Sequence, residues 1–205
     1  MTMTPRQRVL AVLAKRQPDR IVTDYWTTPE FDAALKVHLG CDDDESLCRR
    51  LHIDRPLTVS PRPLRAHHQQ DPEADRWGIR YQHIDYGSGA YDEVAHQPLA
   101  SATSVQQVHD FVWPSPDDFD YSTVTESIER SDGYRAIRAG AYEPFLLYCK
   151  MRGLEQSYED LILHPEIADA ILGHLFDFHY EHNRRIFEAG GRGPANLTCV
   201  FGAAF

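Results

Sequence analysis

Four short runs of β-branched and aromatic residues constrain this chain most: Ile21 to Trp26, Leu57 to Val59, Tyr134 to Arg138 and Leu197 to Val200. Long stretches of helical period separate them. Strands so far apart cannot be joined by tight turns, so the pattern predicts parallel pairing through helical crossovers, an α/β fold. Thr4 and Pro5 open the first helix, because Thr caps free amides and Pro loses nothing at the first helical position. Val9, Val12 and Leu13 form its apolar face, and Pro18 ends it. Pro29 to Leu39 is a second helix, stopped by Gly40. The acidic run Asp42 to Glu45 favours the dipole of a helix spanning about Glu45 to Leu51. It lacks the glycine and closing glutamate of a calcium loop.

From Pro61 to about Pro98 the regular pattern is interrupted. Gly87 and Gly89 lie between alternating apolar residues, as in a β-hairpin, so the segment reads as an excursion from the repeat. Ser104 opens a short helix, Trp113 to Asp117 is a turn, and Ser122 to about Ser131 is helical. The last third keeps a helical period over Pro144 to Arg152, Leu154 to Leu163 and Pro165 to Ala189, ended by Gly190 and Gly191.

The 205 residues read as a single domain, 1–205, with 42% hydrophobic and 25% charged residues, enough for a sizeable core. With 31 acidic against 21 basic residues the formal charge is -10, which supplies no basic stripe for nucleic acid or an anionic membrane. The chain has neither a signal-peptide core nor an apolar run of about 18 residues, so a cytoplasmic location is expected. Cys41, Cys48, Cys149 and Cys199 have no paired metal spacing and read as free thiols. Eleven histidines invite a metal. His179 and His182 stand side by side on one helix, but His174 faces elsewhere and His67 and His68 lie in the excursion, so no bound metal is expected. Phosphate-cradling and nucleophile-elbow motifs are absent.

Several segments in order resemble the uroporphyrinogen decarboxylase superfamily, which includes corrinoid-dependent methyltransferases. They are Thr4 to Leu10 with Gln17 to Ile21, and Arg76 to Ile79 with Gly89 to Glu93 and Pro98 to Ala100. The most specific stretch is Arg152 to Gln156 with Asp160, Leu161 and His164 to Glu166. The resemblance runs from residue 4 to about 191 and fades beyond. It implies the N-terminal half of a (β/α)8 barrel with a β-hairpin excursion, working at the C-terminal ends of its strands. A whole barrel takes about 250 residues, so the chain is expected to stop before the barrel closes.

The resemblance also implies site residues. Gly140 and Ala141, followed by Tyr148, are similar to the family's Gly-Ala-Pro-Trp segment and its active-site tyrosine, with Tyr142 and Glu143 replacing Pro and Trp. Tyr148 is therefore a candidate catalytic phenol, or else a packing residue of the barrel rim. Asp54, before the second strand, is the other catalytic candidate, with an ion pair to a neighbouring arginine as its alternative. Asp24, Trp26, Arg62 and Gly140 are candidate substrate-binding residues. Where the decarboxylases carry Met-Arg-Gln-Ala-Gly-Arg, this chain has Asp24 to Pro29, the wrong charge for a polycarboxylate tetrapyrrole. The reading is thus a family enzyme acting on a small molecule, a decarboxylase by family or a corrinoid- or thiol-type methyltransferase by closer motif similarity. Cofactors are expected to be absent here; zinc and a corrinoid belong to a full-length relative. The alternative is a non-catalytic relic or binding subunit, with a homodimer or a partner chain completing the barrel.

Overall fold

The computed structural model describes residues 2–140, 143–191 and 198–199. Helix α1 (Pro5–Leu13) begins as expected. Gln7 N donates to the Thr4 hydroxyl while Thr4 N donates to the Gln7 side chain, so two free amides are satisfied reciprocally. Thr28 caps α2 (Pro29–Leu39), which ends on Gly40 at φ 65°. The acidic run proves to be a helix start: Asp43 caps α3 (Asp44–Arg50), with Asp44 and Glu45 in its first turn.

After β1 (Leu57–Val59) the chain leaves the repeat through β2 (Arg62–Pro63), β3 (His67–His68), β4 (Asp71–Asp75), β5 (Arg80–Asp85) and β6 (Ala90–His96). The last two form the expected hairpin, closed by Tyr86 N donating to Gly89 O at 3.1 Å, with Gly87 at φ 87°. Next come α4 (Val105–Asp110), capped by Ser104, and β7 (Phe119–Asp120), antiparallel to β2. Then follow α5 (Ser122–Glu129), β8 (Ile137–Ala139), α6 (Pro144–Arg152), α7 (Leu154–Leu163), α8 (Pro165–Ala189) and β9 (Thr198–Cys199).

The result is a mixed α/β architecture, rich in helices and with short strands. Among the described residues the parallel sheet has the order β1–β8–β9, with Leu57 opposite Ile137, Thr58 opposite Arg138 and Val59 opposite Ala139. Its helix-side face, Val59, Ile137 and Ala139, packs on Val124 of α5 and Ile186 of α8. A second core joins Tyr148 and Met151 of α6 and Ile167, Ile171 and Leu175 of α8 to Ile79, Leu99 and Val108. Helix α8 therefore carries both cores, one under the sheet and one under the excursion.

The expected first strand is the main departure: residues 21–26 form no ladder. Asp54 N donates to Thr23 O at 2.9 Å, but Thr23 N turns to the Asp54 carboxylate at 3.2 Å, so a side chain takes the place of the next strand bond. The strand expected from Tyr134 begins at Ile137, because Tyr134 O accepts from Arg6 N of α1 at 3.1 Å. Cys41, Cys48 and Cys149 are free thiols. Among the described residues no helix is long and apolar enough to cross a membrane.

Candidate functional site

Side chains alternate across a strand, so with Val59, Ile137 and Ala139 turned to the helices, Thr58 and its register partner Arg138 turn to the opposite face. There Arg138 Nε donates to Thr58 Oγ1 at 2.8 Å, and its Nη1 lies 4.0 Å from Asp24 Oδ2. Asp24 is held by Trp26 Nε1 at 3.1 Å and by Tyr25 N at 2.8 Å. The Trp26 side of this group is open, 78% exposed. A guanidinium has five N–H donors, and among the described residues Arg138 engages Thr58 and, loosely, Asp24. The face therefore offers a cation with donors to spare, a carboxylate, a hydroxyl and an indole plane. Such a set orients an anionic group and stacks a planar body.

Two of the substrate-binding candidates, Asp24 and Trp26, thus meet, and Thr58 and Arg138 join them without having been singled out. The signal was available in strand parity: a charged residue between Ile137 and Ala139 faces away from whatever those two bury. Arg62 and Gly140 lie just past the C-terminal ends of β1 and β8. Arg62 Nη2 donates to Asp120 at 2.7 Å and its amide approaches Thr123 Oγ1 at 2.9 Å, which ties it to the β2–β7 pair. Gly140 has φ 69°, and a Cβ there would stand 2.8 Å from Asn183 Oδ1 of α8. The seat of the Asn183 amide against the end of β8 depends on that missing side chain. Ala141 and Tyr142 lie outside the described residues.

The two catalytic candidates sit in other surroundings. Asp54 is fully buried on the approach to β1, at the N-terminal side of the sheet. It accepts from Arg8 Nη1 at 2.8 Å, from Arg20 Nη1 and Nη2 at 2.5 and 2.8 Å, and from Thr23 N at 3.2 Å. The pairing is with Arg8 and Arg20, not with adjacent Arg55, and it ties α1 and the 18–23 segment to the entry of β1. Arg8 also binds Asp19, holding that carboxyl at about 2. Tyr148 is buried in the α6–α8 core, and its hydroxyl donates to Ser157 O at 3.2 Å. Burial and the Asp160 carboxylate push the phenol up to about 12.

The segment most specific to the family resemblance is a structural lock. Arg152 Nε donates to Asp160 at 2.6 Å, and its Nη1 reaches the carbonyls of Leu99 and Ala102 at 2.6 and 2.8 Å. Gly153, at φ 99°, allows α6 to turn directly into α7. Burial pushes the Asp160 carboxyl up, but Arg152 and Gln156 together hold it below the ordinary carboxylate range.

The histidines of α8 pack against rings, and His179 among them docks the excursion through Trp77. His174 stacks on Trp113 at 4.6 Å and meets His109 at 3.0 Å; His179 stacks on Trp77, and His182 on Phe178. Burial drives His179 down to about 3, with His182 adding to the effect, and His182 down to about 4, with Arg76 and Arg185 adding. Among the described residues no group of three or more His, Cys, Asp or Glu side chains is placed to hold a metal ion.

No family model and no curated protein matches this chain in sequence. Among solved structures, the fold is similar to that of a methyltransferase from Methanosarcina mazei, with a TM-score of 0.56 and 14% sequence identity. The likeness covers 92% of this chain and 57% of that chain, so the chain spans somewhat over half the length of the structure it matches. At that identity the likeness is one of fold, a mixed α/β architecture shared through nearly all of this chain.

Proposed function

We propose that this chain forms the first part of a barrel of the uroporphyrinogen decarboxylase type, and that its chemistry is methyl transfer, not decarboxylation. The fold shared with the Methanosarcina methyltransferase supports the first statement. The observation that carries the second is how the arginines are used. A tetrapyrrole with many carboxylates requires several uncommitted cations. Here Arg8 and Arg20, two of the four arginines among the first twenty residues, are consumed by Asp19 and Asp54, and on the open face Arg138 already has the carboxylate of Asp24 beside it. That face suits a substrate or cofactor with one anionic group and a planar body. Arg138 would orient the anion, Trp26 would stack the plane, and Asp24 would hold both side chains in position.

The resemblance implies zinc and a corrinoid for a full-length relative. The described residues bring no zinc donor set together. A second reading, a binding subunit completed by another chain or a second copy, has its own support. Among the described residues β1 pairs with β8 alone, which leaves its other edge open.

Calorimetric titration of the purified chain with methylcobalamin and, separately, with uroporphyrin tests the proposal. Saturable corrinoid binding that weakens about tenfold in Arg138→Ala or Trp26→Ala is the expected outcome, the loss of about 1.4 kcal/mol. Preferential binding of the polycarboxylate would sink the methyl-transfer reading.

A further inference from the structure

On the side of the sheet opposite the strand ends marked by Arg62 and Gly140, α1, α3 and the segment leading into β8 enclose a cavity of about 460 Å³. Its wall carries four guanidiniums, those of Arg8, Arg20, Arg49 and Arg135, and one carboxylate, that of Asp19. Counting the carboxylates paired to them, Asp19, Asp54 and Glu45, the four guanidiniums keep a small positive excess in a chain whose formal charge is -10.

The four arginines are not equally committed. Arg8 is saturated by Asp19, Asp54 and Met3 O, and Arg20 is largely taken by Asp54 and His52 O. Arg49 and Arg135 differ, because they share one carboxylate. Glu45 Oε1 lies 2.7 Å from Arg49 Nε and Glu45 Oε2 2.8 Å from Arg135 Nε. Arg49 is thus gripped through Nε, whereas Arg135 Nε has Glu45 as an ion contact without hydrogen-bond geometry. Beyond these contacts Arg135 Nη1 donates to Arg55 O at 3.0 Å, and Arg49 Nη2 lies 4.0 Å from Asp132. The Tyr134 ring, 4.5 Å from the Arg49 guanidinium carbon, fixes its plane. Two oriented forks remain with donors to spare, Arg135 at 13% side-chain exposure and Arg49 at 53%. Ile53 and Pro5 give the wall an apolar part, and His52 beside them holds φ 56°, which turns its carbonyl to Arg20 Nη2 at 2.8 Å.

We infer that this cavity binds a small polyanion, a molecule with two or more adjacent phosphate or carboxylate groups, through the Nη edges of Arg49 and Arg135. Guanidinium forks take such oxygens bidentately, and Arg8 and Arg20 add to the field. The volume lies in the range of small-molecule sites, and the acidic remainder of the surface disfavours an extended nucleic acid. The inference does not rest on the methyl-transfer reading. It assigns a second site, separate from the Asp24–Arg138 face, where an effector would act from below the sheet.

Titration calorimetry of the full chain with inorganic pyrophosphate and with citrate tests it. Saturable binding of at least one is expected. Binding that weakens tenfold or more in Arg49→Ala, with Arg49→Lys retaining part of it, supports the fork geometry, since a lysine keeps the charge but not the fork. Pyrophosphate alone assigns a diphosphate, and citrate alone a polycarboxylate. Arg49 is half-exposed, so its removal spares the fold, which circular dichroism checks; Arg135→Gln is the buried counterpart. Polyanions also raise melting temperatures by exclusion from protein surfaces, so any thermal shift is read as the difference between wild type and Arg49→Ala. No heat with either anion, or affinity unchanged in Arg49→Ala, overturns the inference.

Discussion

Asp54 shows how much one side chain can hold. It is fully buried and receives both Arg8 and Arg20, and Thr23 N completes its acceptor set. Removing one partner of a buried pair leaves the others as uncompensated charge, so Asp54→Ala is expected to cost about 3–5 kcal/mol in urea unfolding. A loss below about 1 kcal/mol would mean that water reaches the two arginines. Tyr148→Phe removes only the hydrogen bond to Ser157 O and is expected to cost about 1 kcal/mol. If Tyr148 instead has the catalytic role suggested by the family resemblance, the same substitution abolishes turnover at unchanged stability. The histidines of α8 set a pH dependence. Burial lowers His182 to about 4 and His179 to about 3, against an ordinary 6.5, so between those values the unfolded chain binds protons that the folded chain does not. Stability is then fully present above pH 6.5 and is lost as the pH falls towards 4. After allowance for their partial exposure the pair contributes about 1–2 kcal/mol. Urea midpoints at pH 7 and pH 5 measure it, and His182→Gln is expected to reduce the difference.

At the scale of elements, the helices were legible because their end signals are local. Thr4 with Gln7, Thr28 with Phe31 and Asp43 with Ser46 each satisfy free amides within four residues, and no distant partner has to be known. Thr4→Ala, which removes one such cap, is expected to cost about 1 kcal/mol by thermal melt. The β5–β6 hairpin was legible for the same reason, since Gly87 and Gly89 close it locally. The strand expected over Ile21 to Trp26 was not observed. Its residues have strand propensity, but the Asp54 carboxylate, 31 residues away from Thr23, takes the backbone amide that a ladder would use. Gly140 belongs at this scale too. Gly140→Ala combines a positive φ with a contact 2.8 Å from Asn183 Oδ1, so the backbone is strained and the Asn183 amide must swing away from the end of β8. The expected result is a destabilisation of about 1–3 kcal/mol, read by chemical denaturation, together with altered ligand binding at the Asp24–Arg138 face.

At the scale of the whole molecule, the edge of β1 that is unpaired among the described residues is one route to association, and apolar side chains exposed on α2 and α7 are another. Val37 is 84% exposed, Ile162 81% and Leu163 64%. Apolar groups left in water favour association, so light scattering at rising concentration is expected to show the chain pairing with itself. A monomer at all concentrations would count against the binding-subunit reading. The sequence by itself determined the helices, the hairpin, the β–α order that makes the sheet parallel, and the acidic balance. All of these follow from short-range signals or from composition. Only the tertiary structure decided which charges meet. Asp54 is ion-paired because Arg8 and Arg20 converge on it from 46 and 34 residues away, and Arg138 faces Asp24 because strand parity and register place it there. Glu45 brings Arg49 and Arg135 to one cavity although 86 residues separate them. Propensity acts through neighbours along the chain, whereas the role of a charged side chain depends on which distant group occupies its donors, and only packing settles that.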